Sequence, residues 1–190
     1  VLDDALLERI RAVGRRRHEA LFTALELGTY LGYSTVRIAR LLPPGARLFS
    51  CDPHDGARAF AEELVSLAGL SERVEFLAST AQECIRQLRG SAPPLDFVFI
   101  DHDKADYLPA LRALEAAGLL DQGAAVVADN VDVFRIDDYL EYVRGSGRYR
   151  SRHHGTAFEY TLTGADGVPQ VRDGVEVSLF APPEGLAYEL

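Results

Sequence analysis

This chain of 190 residues has no methionine and no tryptophan, only two cysteines, and fewer basic than acidic residues, 20 against 29. With Val1 at its start and no methionine anywhere, its N-terminus is expected to be trimmed from a longer product. Cys51 and Cys84 stand 33 positions apart. That is not a metal-ligand spacing, and the pair reads as two reduced, buried thiols of a cytoplasmic protein. No apolar run approaches the ~18–20 residues of a membrane-crossing helix, and the first residues do not resemble a signal peptide, so no membrane association is expected. A net charge of −9 and a pI near 5.0 argue against a nucleic-acid phosphate backbone as partner. Internal repeats and low-complexity linkers are also absent, and the length suits one domain spanning 1–190.

What is present is an alternation of apolar runs with helix-like periodic segments. Strands are expected at Leu21–Leu27, Ala46–Cys51, Arg73–Ala78, Leu95–Ile100 and Gly123–Ala128. Helices are expected at Ser34–Leu42, Gly56–Leu70, Ala81–Gly90 and Ala105–Leu120, the last interrupted near its start by Pro109. The strand runs lack polar alternation, which is what a sheet covered on both faces requires. Repeated strand–helix units with short connections imply an α/β, doubly wound parallel sheet. The tail reads differently, as an antiparallel pair of strands, residues 148–163 and Val175–Phe180, around the turn-rich stretch 164–174.

In such sheets ligands collect beyond the carboxyl ends of the strands. After the first strand comes ELGTYLGYS, with Glu26, Gly28, Gly32 and Ser34. Glycine permits a sharp turn and a close ligand approach. Ser34 reads as an N-cap whose helix start favours an anionic group, while Glu26 suits a cationic group such as an ammonium. The spacing is not G-x-G-x-x-G, which disfavours a dehydrogenase. After the second strand, Asp52 suits ribose hydroxyls or an ordinary turn. After the fourth come Asp101, His102, Asp103 and Lys104, and after the fifth Asp129 and Asn130. If those strands are neighbours, Asp101, Asp129 and Asn130 converge as an all-oxygen set suited to magnesium, calcium or manganese; the alternative is solvated acids in separate loops. His102 is expected to pack behind this group. His153 and His154 have no metal-ligand spacing, and Lys104 reads either as a base or as a salt-bridge partner of Asp103 or Asp106.

Together ALELGTYLGYSTVRIARLLPPGARL, FIDHDKADYLP, VADNV and FEY, spread from about Leu21 to Phe180, resemble the catechol O-methyltransferases, which use S-adenosylmethionine and magnesium. The resemblance implies a class I, Rossmann-like methyltransferase fold: a mostly parallel seven-stranded sheet with helices on both faces and a C-terminal antiparallel pair. It implies a small-molecule catechol or related dihydroxyphenyl substrate, with the alternative of a non-catalytic member that binds cofactor or protein. It places Glu26 and Gly28 at the methionine part of the cofactor and Ser34 at its carboxylate. Tyr30 is carried over with the same motif, Asp52 at the ribose (where the family usually has Glu), and Gln82 near the adenine. Asp101 and Asp103 also fall beside the cofactor. Asp101, Asp129 and Asn130 match the metal ligands, Lys104 the general base, and Glu159 an acid that hydrogen-bonds the substrate hydroxyl.

Two substitutions depart from the animal members: Asp103 replaces an aromatic, as in many bacterial relatives, and Phe134 stands near a proline of the substrate mouth. The family's cofactor-covering segment before the first strand is also missing. From this a lost stretch between Ala20 and Leu21 is expected, which an abnormal Cα spacing there would reveal. A catechol hydroxyl, like tyrosine's at about 10, is mostly protonated at neutral pH and a poor nucleophile. A cation and a lysine depressed below its usual value would together free its oxygen for in-line displacement at the sulfonium methyl.

Overall fold

Residues 22–158 and 171–181 are described in the computed structural model. Five parallel strands, β1 (Thr23–Leu27), β2 (Arg47–Cys51), β3 (Val74–Leu77), β4 (Leu95–Ile100) and β5 (Leu120–Ala128), are joined through α1 (Tyr33–Leu41), α2 (Asp55–Leu67), α3 (Ala81–Leu88) and α4 (Tyr107–Ala116). α5 (Asp137–Gly145), β6 (Tyr149–Ala157) and β7 (Arg172–Phe180) complete the described elements. The sheet order is β3-β2-β1-β4-β5-β7-β6, with β7 antiparallel to both β5 and β6. The expected sheet, mostly parallel with an antiparallel pair at its C-terminal edge, is therefore present.

Both faces are covered, which explains the unbroken apolar runs. Along β1, Leu25 and Leu27 join one core layer with Ile85, Leu111 and Val143 from α3, α4 and α5. Ala24 joins the opposite layer with Ile38 and Val65 from α1 and α2. β5 divides in the same way, Val126 and Ala128 to one side and Ala125 and Val127 to the other. Alternation persists in space but both partners are buried, so polarity along the sequence carries no trace of it.

Several boundaries moved for local reasons. α2 ends three residues early because Gly69 takes φ +71°, the left-handed conformation that closes helices. The expected helix from Ala105 begins as a 3-10 turn, Lys104–Asp106, before α4 proper. Pro109 is the third residue of α4, where its missing N–H would have no intrahelical partner. β5 starts at Leu120, with a register irregularity opposite Leu95 and Phe97. α5 was not expected: it buries only Tyr139 and Val143, too short a stripe for periodicity to reveal. β7 starts at Arg172, three residues before the expected strand, so that Asp173 and Gly174 belong to the sheet rather than to a turn.

Candidate active site

Because β3, β2, β1, β4 and β5 run parallel, the residues after each strand gather along one edge of the sheet. The strand order reverses between β1 and β4, the crevice where such sheets hold ligands. Gln82, Asp52, Gly28 and Tyr30 follow the strands on one side of this switch. Asp101, Asp103, Lys104, Asp129 and Asn130 follow those on the other.

Gly28 sits where the two sides meet. It adopts φ +104°, and a Cβ there would lie 2.2 Å from the Asp101 carbonyl oxygen. Any side chain would push apart the ends of β1 and β4, so this glycine is required by backbone packing as well as by conformation. Gly32 (φ +82°) is the residue before α1, and its Cβ would meet that of Ala61 on α2 at 2.8 Å. The expected N-cap at Ser34 is therefore corrected: Gly32 occupies the cap without a side-chain bond, and Ser34 is the second residue of α1. Tyr30, with φ +44°, is exposed in the turn between these glycines.

Glu26 is fully buried. Its Oε2 accepts hydrogen bonds from Thr35 Oγ1 at 2.5 Å and Ser50 Oγ at 2.6 Å. Oε1 has no hydrogen-bond partner among the described residues. Burial raises the carboxyl from 4.5 to about 7; the hydroxyls of Ser34, Ser50 and Thr35 pull against that rise, and Asp101 adds to it. A buried acid with one oxygen unsatisfied suits a cationic donor.

Asp52 is bound locally. Its Oδ2 accepts from the Tyr30 N–H and its Oδ1 from the His54 N–H, each at 2.9 Å. The carboxylate thus ties the loop after β1 to the loop after β2. Gln82 is the second residue of α3, half-buried behind the Thr80–Glu83 capping box.

The densest cluster lies beyond β4 and β5. Ile100 pairs with Ala128, which brings Asp101 and Asp129 out of the sheet side by side. Asp103 caps the short turn that follows, its Oδ1 accepting from the Ala105 N–H at 3.1 Å. That cap aims Lys104 back at the strand ends. Lys104 Nζ donates to Asp101 Oδ1 at 2.7 Å, to the Tyr107 hydroxyl at 2.7 Å and to Asn130 Oδ1 at 3.2 Å. The Tyr107 hydroxyl in turn donates to the Asp129 carbonyl at 3.0 Å, and the Asn130 N–H donates to Asp129 Oδ1 at 2.9 Å.

The Lys104 ammonium lies 4.9 Å from the centroid of the Tyr107 ring and 5.3 Å from that of Phe134, within cation–π range. Phe134, half exposed, meets Phe158 edge to face at 6.3 Å, and the pair forms an apolar wall beside the ammonium. His102 stacks on Tyr107, ring centroids 5.3 Å apart. Burial lowers it to about 4, so it is neutral at physiological pH and packs behind the cluster as expected.

Tyr107 and Asp173 escaped sequence reasoning. Tyr107 lies three residues after Lys104, a spacing that could have flagged it; Asp173 had no local signal. Glu159 and the junction of Ala20 with Leu21 lie outside the described residues. Among those described, Cys51 and Cys84 are free, buried thiols, and no helix is long and apolar enough to cross a membrane.

A sheet of this order, with an antiparallel β7 inserted beside β5, defines the class I, Rossmann-like methyltransferase fold. The O-methyltransferase from Bacillus cereus in complex with SAH superposes with a TM-score of 0.74 at 22% identity, covering 95% of this chain and 82% of that one. The family model for O-methyltransferases matches residues 20–135. Catechol O-methyltransferase of Sus scrofa is 38% identical over 187 residues, 93% of this chain and 96% of that protein. The Mus musculus enzyme is 41% identical over 161 residues, 84% of this chain but 58% of its own length. The Danio rerio protein B is likewise covered over only 57% of its length, so the chain spans somewhat more than half of these two relatives. The chain belongs to the O-methyltransferase family, and the resemblance to the catechol O-methyltransferases read from its motifs holds over most of its length.

Proposed function

We propose that this chain transfers the methyl group of S-adenosylmethionine to one hydroxyl of a catechol-type substrate, with a magnesium ion at Asp101, Asp129 and Asn130. The observation that carries this reading is the position of the Lys104 ammonium. One cation hydrogen-bonds both Asp101 Oδ1 and Asn130 Oδ1, so two of the three proposed ligand oxygens already converge on one positive charge, carried by the proposed base itself. These are hard oxygen donors, and their chemistry suits a divalent ion such as magnesium. When bound there, such an ion would supply Lewis-acid stabilisation of a substrate oxyanion.

The protein's own residues do the rest. Glu26 offers its unsatisfied oxygen to the cofactor's ammonium, and Gly28 keeps the approach to the methionine part clear. Ser34, Tyr30, Asp52, Gln82 and Asp103 surround the remainder of the cofactor site. Phe134 and Phe158 form an apolar face for an aromatic ring. Lys104 serves as the base that takes the proton of the attacking hydroxyl. The hydroxyl oxygen bonds to the methyl carbon as the carbon–sulfur bond breaks; that electron pair returns to sulfur and leaves S-adenosylhomocysteine. Tyr107 steadies Lys104 by accepting one of its hydrogens while donating its own to the Asp129 carbonyl. Glu159 hydrogen-bonds the substrate hydroxyl, as the resemblance implies. Holding oxygen, carbon and sulfur in line is the main source of acceleration, an effect worth ~7–11 kcal/mol in favourable cases. A cytoplasmic setting agrees with the two unpaired, buried thiols.

The test is transfer of labelled methyl from S-adenosylmethionine to a panel of dihydroxybenzenes. Turnover should vanish with EDTA and return with added magnesium. Turnover that persists after chelation would overturn the metal-dependent reading.

A further inference from the structure

Asn130 can present either end of its amide to the cluster, and only the oxygen end accepts from Lys104 or serves a cation. Its backbone is held in the left-handed region at φ +55°. The following Val131 N–H donates to the Gly174 carbonyl at 3.0 Å, which clamps this loop to the start of β7. At that point lies Asp173, 1% exposed. Its Oδ1 accepts from the backbone N–H groups of Asp132 and Val133, both at 3.2 Å, and of Gly174 at 2.7 Å. Its Oδ2 accepts from Asn130 Nδ2 at 2.8 Å.

We propose that Asp173 is the positioning residue that turns the Asn130 amide so that its oxygen, and not its nitrogen, faces Lys104 and the cation site. A carboxylate has only acceptors to offer, so it selects the NH2 end of the amide and leaves Oδ1 pointing the other way. The second carboxylate oxygen is occupied by three backbone donors, which prevents the acid from rotating away. Asp173 acts through Asn130, whose Nδ2 donates to it. The orientation stands independently of the metal, whereas its consequence for cation affinity rests on the reading given above.

An exchange of the two side chains tests this. In Asp173→Asn the three backbone donors hold the new carbonyl oxygen and the new NH2 faces residue 130. The Asn130 amide is then expected to flip, placing its own NH2 toward Lys104. The double variant Asn130→Asp with Asp173→Asn returns an oxygen to the cluster. The first readout is proton–proton contacts of the Asn130 side-chain amide by NMR in 15N-labelled, metal-free protein, because X-ray density does not distinguish the two ends at ordinary resolution. The wild type should show contacts to the Asp173 Cβ protons, and Asp173→Asn contacts to the Lys104 Cε protons. The second readout is Mn2+ uptake followed by electron paramagnetic resonance. Uptake should weaken by roughly 10–100-fold in Asp173→Asn, the usual scale for losing a residue that orients a ligand, and recover in the exchange variant.

An amide that keeps its NH2 toward residue 173 in Asp173→Asn overturns the proposal, as does a flipped amide with unchanged Mn2+ uptake. If the wild type takes up no Mn2+, the metal reading fails while the NMR contacts still decide the orientation. Should Asp173→Asn alone not fold, the exchange variant must fold and bind, since it keeps one amide against one carboxylate; an unfolded exchange variant also overturns the proposal.

Discussion

Lys104 and Asp101 are three residues apart and joined by a 2.7 Å bond from ammonium to carboxylate, yet they leave β4 in different conformations. Asp101 directly follows the last strand residue, while Lys104 returns to it through a 3-10 turn capped by Asp103. A proposed metal ligand and a proposed base therefore share one point in space. Lys104→Ala should lower the rate of methyl transfer by about 10²–10⁴-fold, the usual contribution of a general base. Cofactor affinity should change little. Single-turnover kinetics with calorimetry of S-adenosylmethionine binding check both, and a rate within a few-fold of wild type would remove Lys104 from the mechanism.

Glu26 makes stability depend on pH. Its native value of about 7 is raised from 4.5, mainly by burial. Between those values the folded chain holds a proton that the unfolded chain has released. The contribution is therefore complete below about 4.5 and lost as pH rises to about 7. The span is on the order of 3 kcal/mol. Glu26→Gln imitates the protonated acid, and urea unfolding from pH 5 to 8 should show a flatter profile for the variant than for the wild type.

The same carboxyl links pH to cofactor binding. A cationic group at Oε1 favours the ionised acid. Affinity for S-adenosylmethionine should therefore rise as pH climbs toward 7, with proton release on binding below that point. Calorimetry in buffers of different ionisation enthalpy measures the release, and none at pH 6 would dissociate Glu26 from the cofactor's ammonium.

Gly28→Ala should be among the most damaging single-methyl changes in the chain. The added Cβ would stand 2.2 Å from the Asp101 carbonyl oxygen at a backbone angle of φ +104°. The conformational strain alone costs about 1–3 kcal/mol, before the ends of β1 and β4 are forced apart. A lowered melting temperature is expected, and Gly45→Ala, also at positive φ but with open space around it, serves as the control that isolates the packing part.

Arg144 on α5 forms a two-pronged pair with Glu176 on β7, at 2.8 and 2.6 Å. Glu176 is fully buried while Arg144 is half exposed. Arg144→Ala leaves the carboxylate without its fork of donors and should destabilise the protein by about 1.5–3 kcal/mol, read by denaturant unfolding. Equal loss in Arg144→Lys would show that the paired geometry, not the charge, matters.

Much of the fold was legible because parallel strands buried on both faces leave long apolar runs in the sequence. α5 was not, since two buried residues make too faint a stripe. The convergence of Asp101, Lys104, Asp129 and Asn130 could be expected from the rule that ligands collect at strand ends. Asp103, which departs from the aromatic of the animal members, has a local task as the cap of the turn carrying Lys104. Asp173 was hidden in a segment rich in glycine and acids that reads as a turn.

By itself, then, the sequence determined the alternation of strands and helices, the family, and the residue types that stand after each strand. Those are properties of local pattern and order along the chain. Tertiary structure alone decided that β7 inserts between β5 and β6 and brings Asp173 within 2.8 Å of Asn130, residues 43 positions apart. It also decided that the first glycine of ELGTYLGYS is needed by the Asp101 backbone. Contacts of that range depend on how strands pair and how closely their ends approach, and no local pattern of residues encodes them.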